Sequence, residues 1–462
     1  MAIEVRASSG APIEPARAKK GRATLSAVIA FLCMAFLAFV AGSFTMYVDV
    51  FPADKLRLAL QGGMALYDQL ASYGDRYETD FWKPARTDAR GVVSYDEERA
   101  EPGLTLYTSG HDQRAFLIEM NGHVVHEWAL PYSRIWDKSS GVAKPRPDSL
   151  IWVEKARVFP NGDLLALYTA AGDTPWGYGL VKMDKHSNLL WKYLAHAHHD
   201  FDIDSAGHIY VLTQEISNAD LPIAKADLAA LKDLKKPRID DFIVELSPEG
   251  RELQKLWLSG IFAQSPFARR LRLVPYNGNG DYLHTNSIRV LDQAVPGIPQ
   301  SGPGQLLVSL REVSTVALID PEGRRIIWAL AGSWVGQHSA QFLPNGRLLL
   351  FDNEGDPNGF HGSRVLEVDP VTSKVRWSYG GRADQPLDSE ARGSVSRLAN
   401  GNTLIVESWA GRLLEVSREG DVVWEFLNPV RGGLNGARIP IVQWVQRVDA
   451  RDFTPDFRQE LD

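Results

Sequence analysis

Six strand–turn–strand segments that each end in tryptophan, shorter strand pairs that precede most of them, and one uninterrupted apolar stretch near the N-terminus set the fold class. They predict an all-β chain, a six-bladed β-propeller preceded by an N-terminal transmembrane helix and a short helical linker. At 462 residues the chain is long enough to bury a large core built by repetition of one unit.

Residues 1–22 form a polar cytoplasmic tail with Arg17, Lys19, Lys20 and Arg22 ahead of the apolar stretch. Residues 23–51 are the transmembrane signal-anchor, since no charge interrupts them before Asp49 and the run suffices to cross about 30 Å of hydrocarbon. Basic residues before the span favour an N-in orientation, which places the propeller on the periplasmic side of the inner membrane. A cleaved signal peptide is the rival, because Ala41, Gly42 and Ser43 supply small residues of the kind that precede cleavage. Residues 52–101 are a helical and linker segment. Leu56, Leu60, Met64, Leu66 and Leu70 suggest a helix over 54–76, and the charged run 77–100 reads as a linker.

Residues 102–450 carry the propeller. FLIEMNGHVVHEW ends at Trp128 and GLVKMDKHSNLLW at Trp191; related hairpins end at Trp257, Trp328, Trp377 and Trp424. Each alternates polar and apolar residues, as a half-buried strand requires, and each turn holds Asn, Asp, Ser, Pro or Gly. The tryptophans recur at intervals of 47 to 71 residues, and a period near 45 is that of propeller blades. RVFPNGDLLALY (157–168), DIDSAGHIYVL (202–212), QFLPNGRLLLF (341–351) and RLANGNTLIV (397–406) are the inner strand pairs; Ile288 with Gln305–Leu310 is an interrupted fifth. The first blade lacks an innermost strand, and Ile441–Val448 is left over at the other end, so the second completes the first. Residues 451–462 are a C-terminal tail.

Composition narrows the function. A net charge of −7 argues against nucleic acid as a partner. The one cysteine, Cys33, excludes an internal disulfide and any cysteine-based metal cluster.

Histidines carry the chemical signal. His199 stands eight residues before the turn glycine Gly207, and His338 eight before Gly346. His284 lies four before Ile288, as His199 lies four before Ile203 and His338 four before Phe342. Three blades therefore place a histidine at one phase of the innermost strand, where equivalent positions converge on the channel. Glu154 and Gly393 occupy that phase in two other blades. Converging imidazoles suit nucleophilic or acid–base catalysis, and also a catalytic zinc.

The segments HHDFDID (198–204), DYLHTNSI (281–288), SLREVSTVALID (309–320) and QHSAQFLPNGRLLLFDN (337–353), with the Ser363–Arg364 pair, resemble the bacterial arylsulfotransferases. The resemblance runs from about Pro102 to Val448. It implies a transferase that needs neither nucleotide nor other cofactor. An aryl sulfate donor passes its sulfuryl group to a histidine, and a phenolic or other hydroxyl acceptor then takes it. By motif, His338 matches the nucleophile, His199 and His284 the supporting histidines, and Arg311 the sulfate-binding arginine. His198, Asn286 and Arg364 are the accompanying substrate-binding candidates, with His199 favoured over His198 as the channel residue. The chain departs from some members in lacking a long extra β-domain and a cysteine pair near His338. An envelope protein partner fits the anchored arrangement. Two other classes share these features: a non-catalytic envelope scaffold, and a quinone-dependent dehydrogenase, whose repeat EVDPVTSKVRW (367–377) resembles.

Overall fold

A computed structural model of the chain describes residues 20–48, 50, 51, 53, 76–223, 237–276, 280–355 and 362–461. The predicted helix over 54–76 falls on positions that lie, but for the last, outside the described residues. The chain divides into two units, one ending at Ala71 and one spanning Ser72–Asp462.

In the first unit, Lys20–Val48 is a single helix. Its Leu, Ala, Met and Phe residues are compatible with helix and no proline interrupts it. Ser26–Val48 is a 23-residue span that contains an 18-residue window of mean hydropathy 2.4, and its apolar side chains are exposed on all sides, Phe31, Phe36, Leu37 and Phe39 among them. At 1.5 Å per residue it is long enough to cross a bilayer. Its length and composition are those of a single-pass anchor or of a signal sequence.

The second unit is the six-bladed propeller. Five blades are four-stranded antiparallel sheets and the sixth has a fifth strand. From the channel outward, blade 2 begins with Ile151–Val158, blade 3 with Ala197–Ile203, blade 4 with Thr285–Val290, blade 5 with His338–Phe342 and blade 6 with Ser394–Arg397. Blade 1 takes its inner strand from the other end of the chain. Val442–Val448 pairs with Leu104–Ser109, from Val442 opposite Ser109 to Val448 opposite Leu104. The closure gives blade 1 its fourth strand and completes the ring.

Both faces of each blade are buried, which explains why inner strands such as Leu306–Leu310 and Leu348–Asp352 read as nearly continuous apolar runs. Alternate residues serve opposite neighbours. Leu306, Val308 and Leu310 enter the layer between blades 3 and 4, whereas Leu307 enters the layer between blades 4 and 5. The closing tryptophans tie blade to blade. The indole N–H of Trp128 donates to Gly162 O (2.9 Å), Trp191 to Pro248 O (3.1 Å), Trp377 to Arg418 O (2.9 Å) and Trp424 to Met120 O (2.8 Å), each acceptor lying in a turn of the next blade. Trp328 reaches its neighbour through Phe342 instead, with ring centroids 5.6 Å apart.

Two segments differ from the sequence reading. Residues 77–100 are not a bare linker: Trp82–Pro84 pairs with Arg438–Pro440, and Gly91–Tyr95 adds the fifth strand to blade 6. The short apolar group Val92, Val93 and Tyr95 breaks strict alternation at a bulge between Val92 and Ser94 and is masked by the surrounding charges. The 451–462 tail also packs, since Phe453 and Phe457 are buried in the layer that holds Trp128.

Trp424 is fully buried and joins the last blade to the first. Trp424→Ala is expected to cost about 3–5 kcal/mol in denaturant unfolding. Trp191→Ala, at a part-exposed indole, should cost clearly less.

Candidate active site

At one mouth of the channel the inner strands open with irregular pairing. Register shifts separate Ala197 from Phe201, Thr285 from Ser287 and His338 from Gln341. Left-handed backbone at His199 (φ 57°), His284 (φ 48°) and Ser339 (φ 55°) accompanies them. Non-glycine residues hold this conformation at a cost, and such positions gather at functional sites. The bulges turn side chains that would face a neighbouring blade toward the axis.

The three histidines predicted to converge do so. Ring centroids of His199 and His284 are 4.9 Å apart, and those of His199 and His338 6.5 Å. Trp176 stacks on His284 at 5.2 Å and meets His199 edge-on at 5.8 Å. These groups, with Arg311 and Arg392, line a cavity of about 280 Å³. A smaller chamber of about 40 Å³ lies beneath it and shares Glu154, His199, His338 and Arg392.

The hydrogen bonds of His338 determine which nitrogen is free. The Asn353 amide Nδ2 donates to Ser389 O and Arg392 O, both at 2.6 Å, so its Oδ1 faces His338. His338 Nδ1 lies 2.8 Å from that oxygen and 2.8 Å from Gly336 O. Both partners are acceptors, so Nδ1 carries the proton and Nε2 keeps its lone pair. Burial, reinforced by the Arg311 charge, pushes the imidazole down to about 3, so it is neutral throughout the physiological range.

His284 has the opposite electrostatics. Burial draws it down, but the Asp281 carboxylate, 2.5 Å from Nδ1, more than compensates and raises it above its ordinary value. One site thus holds a neutral imidazole and one biased toward imidazolium, the separation that acid–base pairs require. His199 is held well below its usual range by burial and then by the neighbouring histidines. Its backbone N–H donates to Glu154 Oε2 at 3.0 Å, and its Nδ1 lies 2.6 Å from His198 Nδ1.

Arg311 is the cationic wall. Its backbone N–H donates to His284 O at 3.3 Å and its guanidinium pairs with Glu312. His198 is fully buried behind His199 and does not line either cavity. Asn286 lines the lower chamber and bridges blades through Nδ2 to Gln337 O at 2.8 Å. The structure does not bring Arg364 to the site: its Nε donates to Asp352 Oδ2 at 2.8 Å, away from both cavities. Among the described residues, no three His, Cys, Asp or Glu side chains are placed to hold a metal ion.

Sequence reasoning passed over Asp281, Asn353, Trp176 and Arg392. Asp281 carried the clearest signal, three residues before His284 on the same short approach to the strand. Arg392 precedes Gly393, the register position of blade 6, and lies 4.7 Å over the Phe81 ring. Replacing Asp281 with Asn leaves burial as the dominant influence on His284. In NMR titration the His284 imidazole should then titrate below the ordinary histidine value, rather than above it as in the unsubstituted protein.

Among solved structures, a Bacteroides caccae protein of unknown function is 16% identical, covering 74% of this chain and 99% of that one with a TM-score of 0.45. A streptogramin B lyase is 12% identical, covering 77% and 88%, with a TM-score of 0.37. No curated protein matches the chain. The family model described as arylsulfotransferase (ASST) matches residues 155–429, from the inner strand of blade 2 past the outer strand of blade 6. That run takes in all three cavity histidines and Arg311 and exceeds half of the chain, which therefore belongs to the arylsulfotransferase family.

Proposed function

We propose that this protein transfers a sulfuryl group from an aryl sulfate to a phenolic or other hydroxyl acceptor through a sulfohistidine at His338. The observation that carries the reading is the tautomer of His338, whose bonds to Asn353 and Gly336 leave Nε2 as the free nucleophile. A neutral imidazole is a competent nucleophile at pH 7.

In the first half-reaction Nε2 attacks sulfur, the S–N bond forms and the S–O bond to the aryl group breaks. The departing phenolate takes the proton of His284, whose pairing with Asp281 supplies an imidazolium. Arg311 binds the sulfuryl oxygens; its planar fork suits two of them at once. In the second half-reaction neutral His284 accepts the proton of the incoming hydroxyl, whose oxygen attacks sulfur and releases His338. Atoms and charge balance over the cycle, and no nucleotide enters. Trp176 offers an aromatic face to the donor or acceptor ring. In the same reading the apolar helix is an uncleaved anchor in the inner membrane with its basic end in the cytoplasm, and the propeller works on the periplasmic side, where an envelope protein partner could reach it.

Incubation with an aryl sulfate and no acceptor should add one sulfuryl group to the protein, detected by intact mass, with a stoichiometric burst of phenol. His338→Ala should abolish both the added mass and acceptor-dependent turnover, and His284→Gln should lower kcat by about 10²–10⁴. An unmodified protein that still turns over would overturn the covalent route.

A further inference from the structure

The opposite mouth of the channel carries a second organised set of side chains. Each inner strand ends with one polar residue at its last or next-to-last position: Arg157, Asp202, Arg289, Gln341, Arg397 and Arg447 from blades 2, 3, 4, 5, 6 and 1. All six line a cavity of about 270 Å³. It shares no lining residue with the histidine cavity; only the small chamber between them touches both, through Lys155, Ser394 and Trp444 on this side.

Four of six blades thus present arginine at one level, and Lys155 adds a cation deeper in. Asp202 is the sole carboxylate among the described lining residues. The other acids stand behind the arginines rather than in the cavity. Asp200 holds Arg289 at 2.6 Å and also pairs with Lys155. Glu367 holds Arg397 at 2.8 Å and Glu415 holds Arg447 at 3.2 Å. Glu367 is also shared with Arg347 and Arg418, so it does not neutralise Arg397 alone. Arg157 is the least committed, 3.6 Å from Asp202 and partly exposed. Trp444 supplies an aromatic wall, with Lys155 Nζ 4.0 Å and the Arg289 guanidinium 5.6 Å from its ring centroid.

We propose that this mouth is a second ligand site, separate from the histidine cavity, that binds a tetrahedral oxyanion, sulfate or phosphate, free or as the head of an organic ester. Guanidinium forks arranged around one small volume offer several pairs of N–H donors to an anion with oxygens on every side. Backing carboxylates fix the arginine side chains in place, so little side-chain entropy is lost when the anion arrives. Trp444 accommodates the organic part of an ester. The inference rests on the lower mouth alone and stands whether or not sulfuryl transfer occurs above it.

The test is calorimetric titration of the purified full chain carrying Arg311→Ala, which removes the arginine assigned to sulfate in the histidine cavity. Inorganic sulfate, inorganic phosphate and phenyl sulfate are the probes, with ionic strength held constant by chloride. One bound oxyanion is expected. Arg157→Glu should weaken it by about tenfold or more, from one reversed charge at the rim. Asp202→Asn keeps an acceptor for the Val290 N–H that Asp202 now receives at 2.9 Å, and it should tighten binding a few-fold. A purely structural role for Asp202 would not produce that gain. If Arg157→Glu fails to fold, Asp202→Asn decides. Tighter binding of phenyl sulfate than of sulfate identifies an ester, and equal binding the free anion. No oxyanion binding by the Arg311→Ala protein, or binding that neither lower-mouth substitution changes, overturns the proposal.

Discussion

The pairing of Val442–Val448 with Leu104–Ser109 is the constraint on which everything else rests. It turns a row of sheets into a ring, and only in a ring do inner strands far apart in sequence meet on one axis. The ring is held by burial between blades rather than within them. Six apolar layers, one at each blade interface, use alternate faces of every strand. The Trp424 bond to Met120 fastens the same seam from the outside.

Closure also sets the electrostatics. Burial strips the channel histidines of much of their solvation, and desolvation alone would hold every imidazole there neutral. That is the outcome at His338 and His199. His284 escapes because Asp281 contributes a charge and a hydrogen bond to the same ring. One aspartate therefore differentiates two otherwise equivalent positions of a repeating fold. Asn353 makes a comparable distinction without charge, since its fixed amide selects the tautomer of His338.

The blades were legible because their cause is local: period-two alternation, turn residues and a recurring tryptophan all fall within one hairpin. The histidines were legible because repetition converts a sequence offset into a spatial position. His199, His284 and His338 share an offset and so share the axis. What the sequence did not disclose depends on bulges and on contacts between blades. Asn353 orients His338 only because its own amide reaches Ser389 and Arg392 across a blade boundary. Arg364 was drawn to the site by its place in a motif, yet Asp352, opposite it in the neighbouring strand, claims its guanidinium. The ring of arginines at the far mouth follows the same offset logic as the histidines, and it goes unnoticed because arginine at a strand end is commonplace on solvent-facing surfaces.

The central claim is that Nε2 of His338 is an unprotonated, cavity-facing nitrogen at neutral pH. Long-range ¹H–¹⁵N correlation spectroscopy on histidine-labelled protein, with His338 assigned by substitution, reads the protonation of each ring nitrogen directly. The account predicts the Nδ1–H tautomer for His338, unchanged between pH 5 and pH 8. An Nε2–H tautomer, or an imidazolium that titrates within that range, would contradict it.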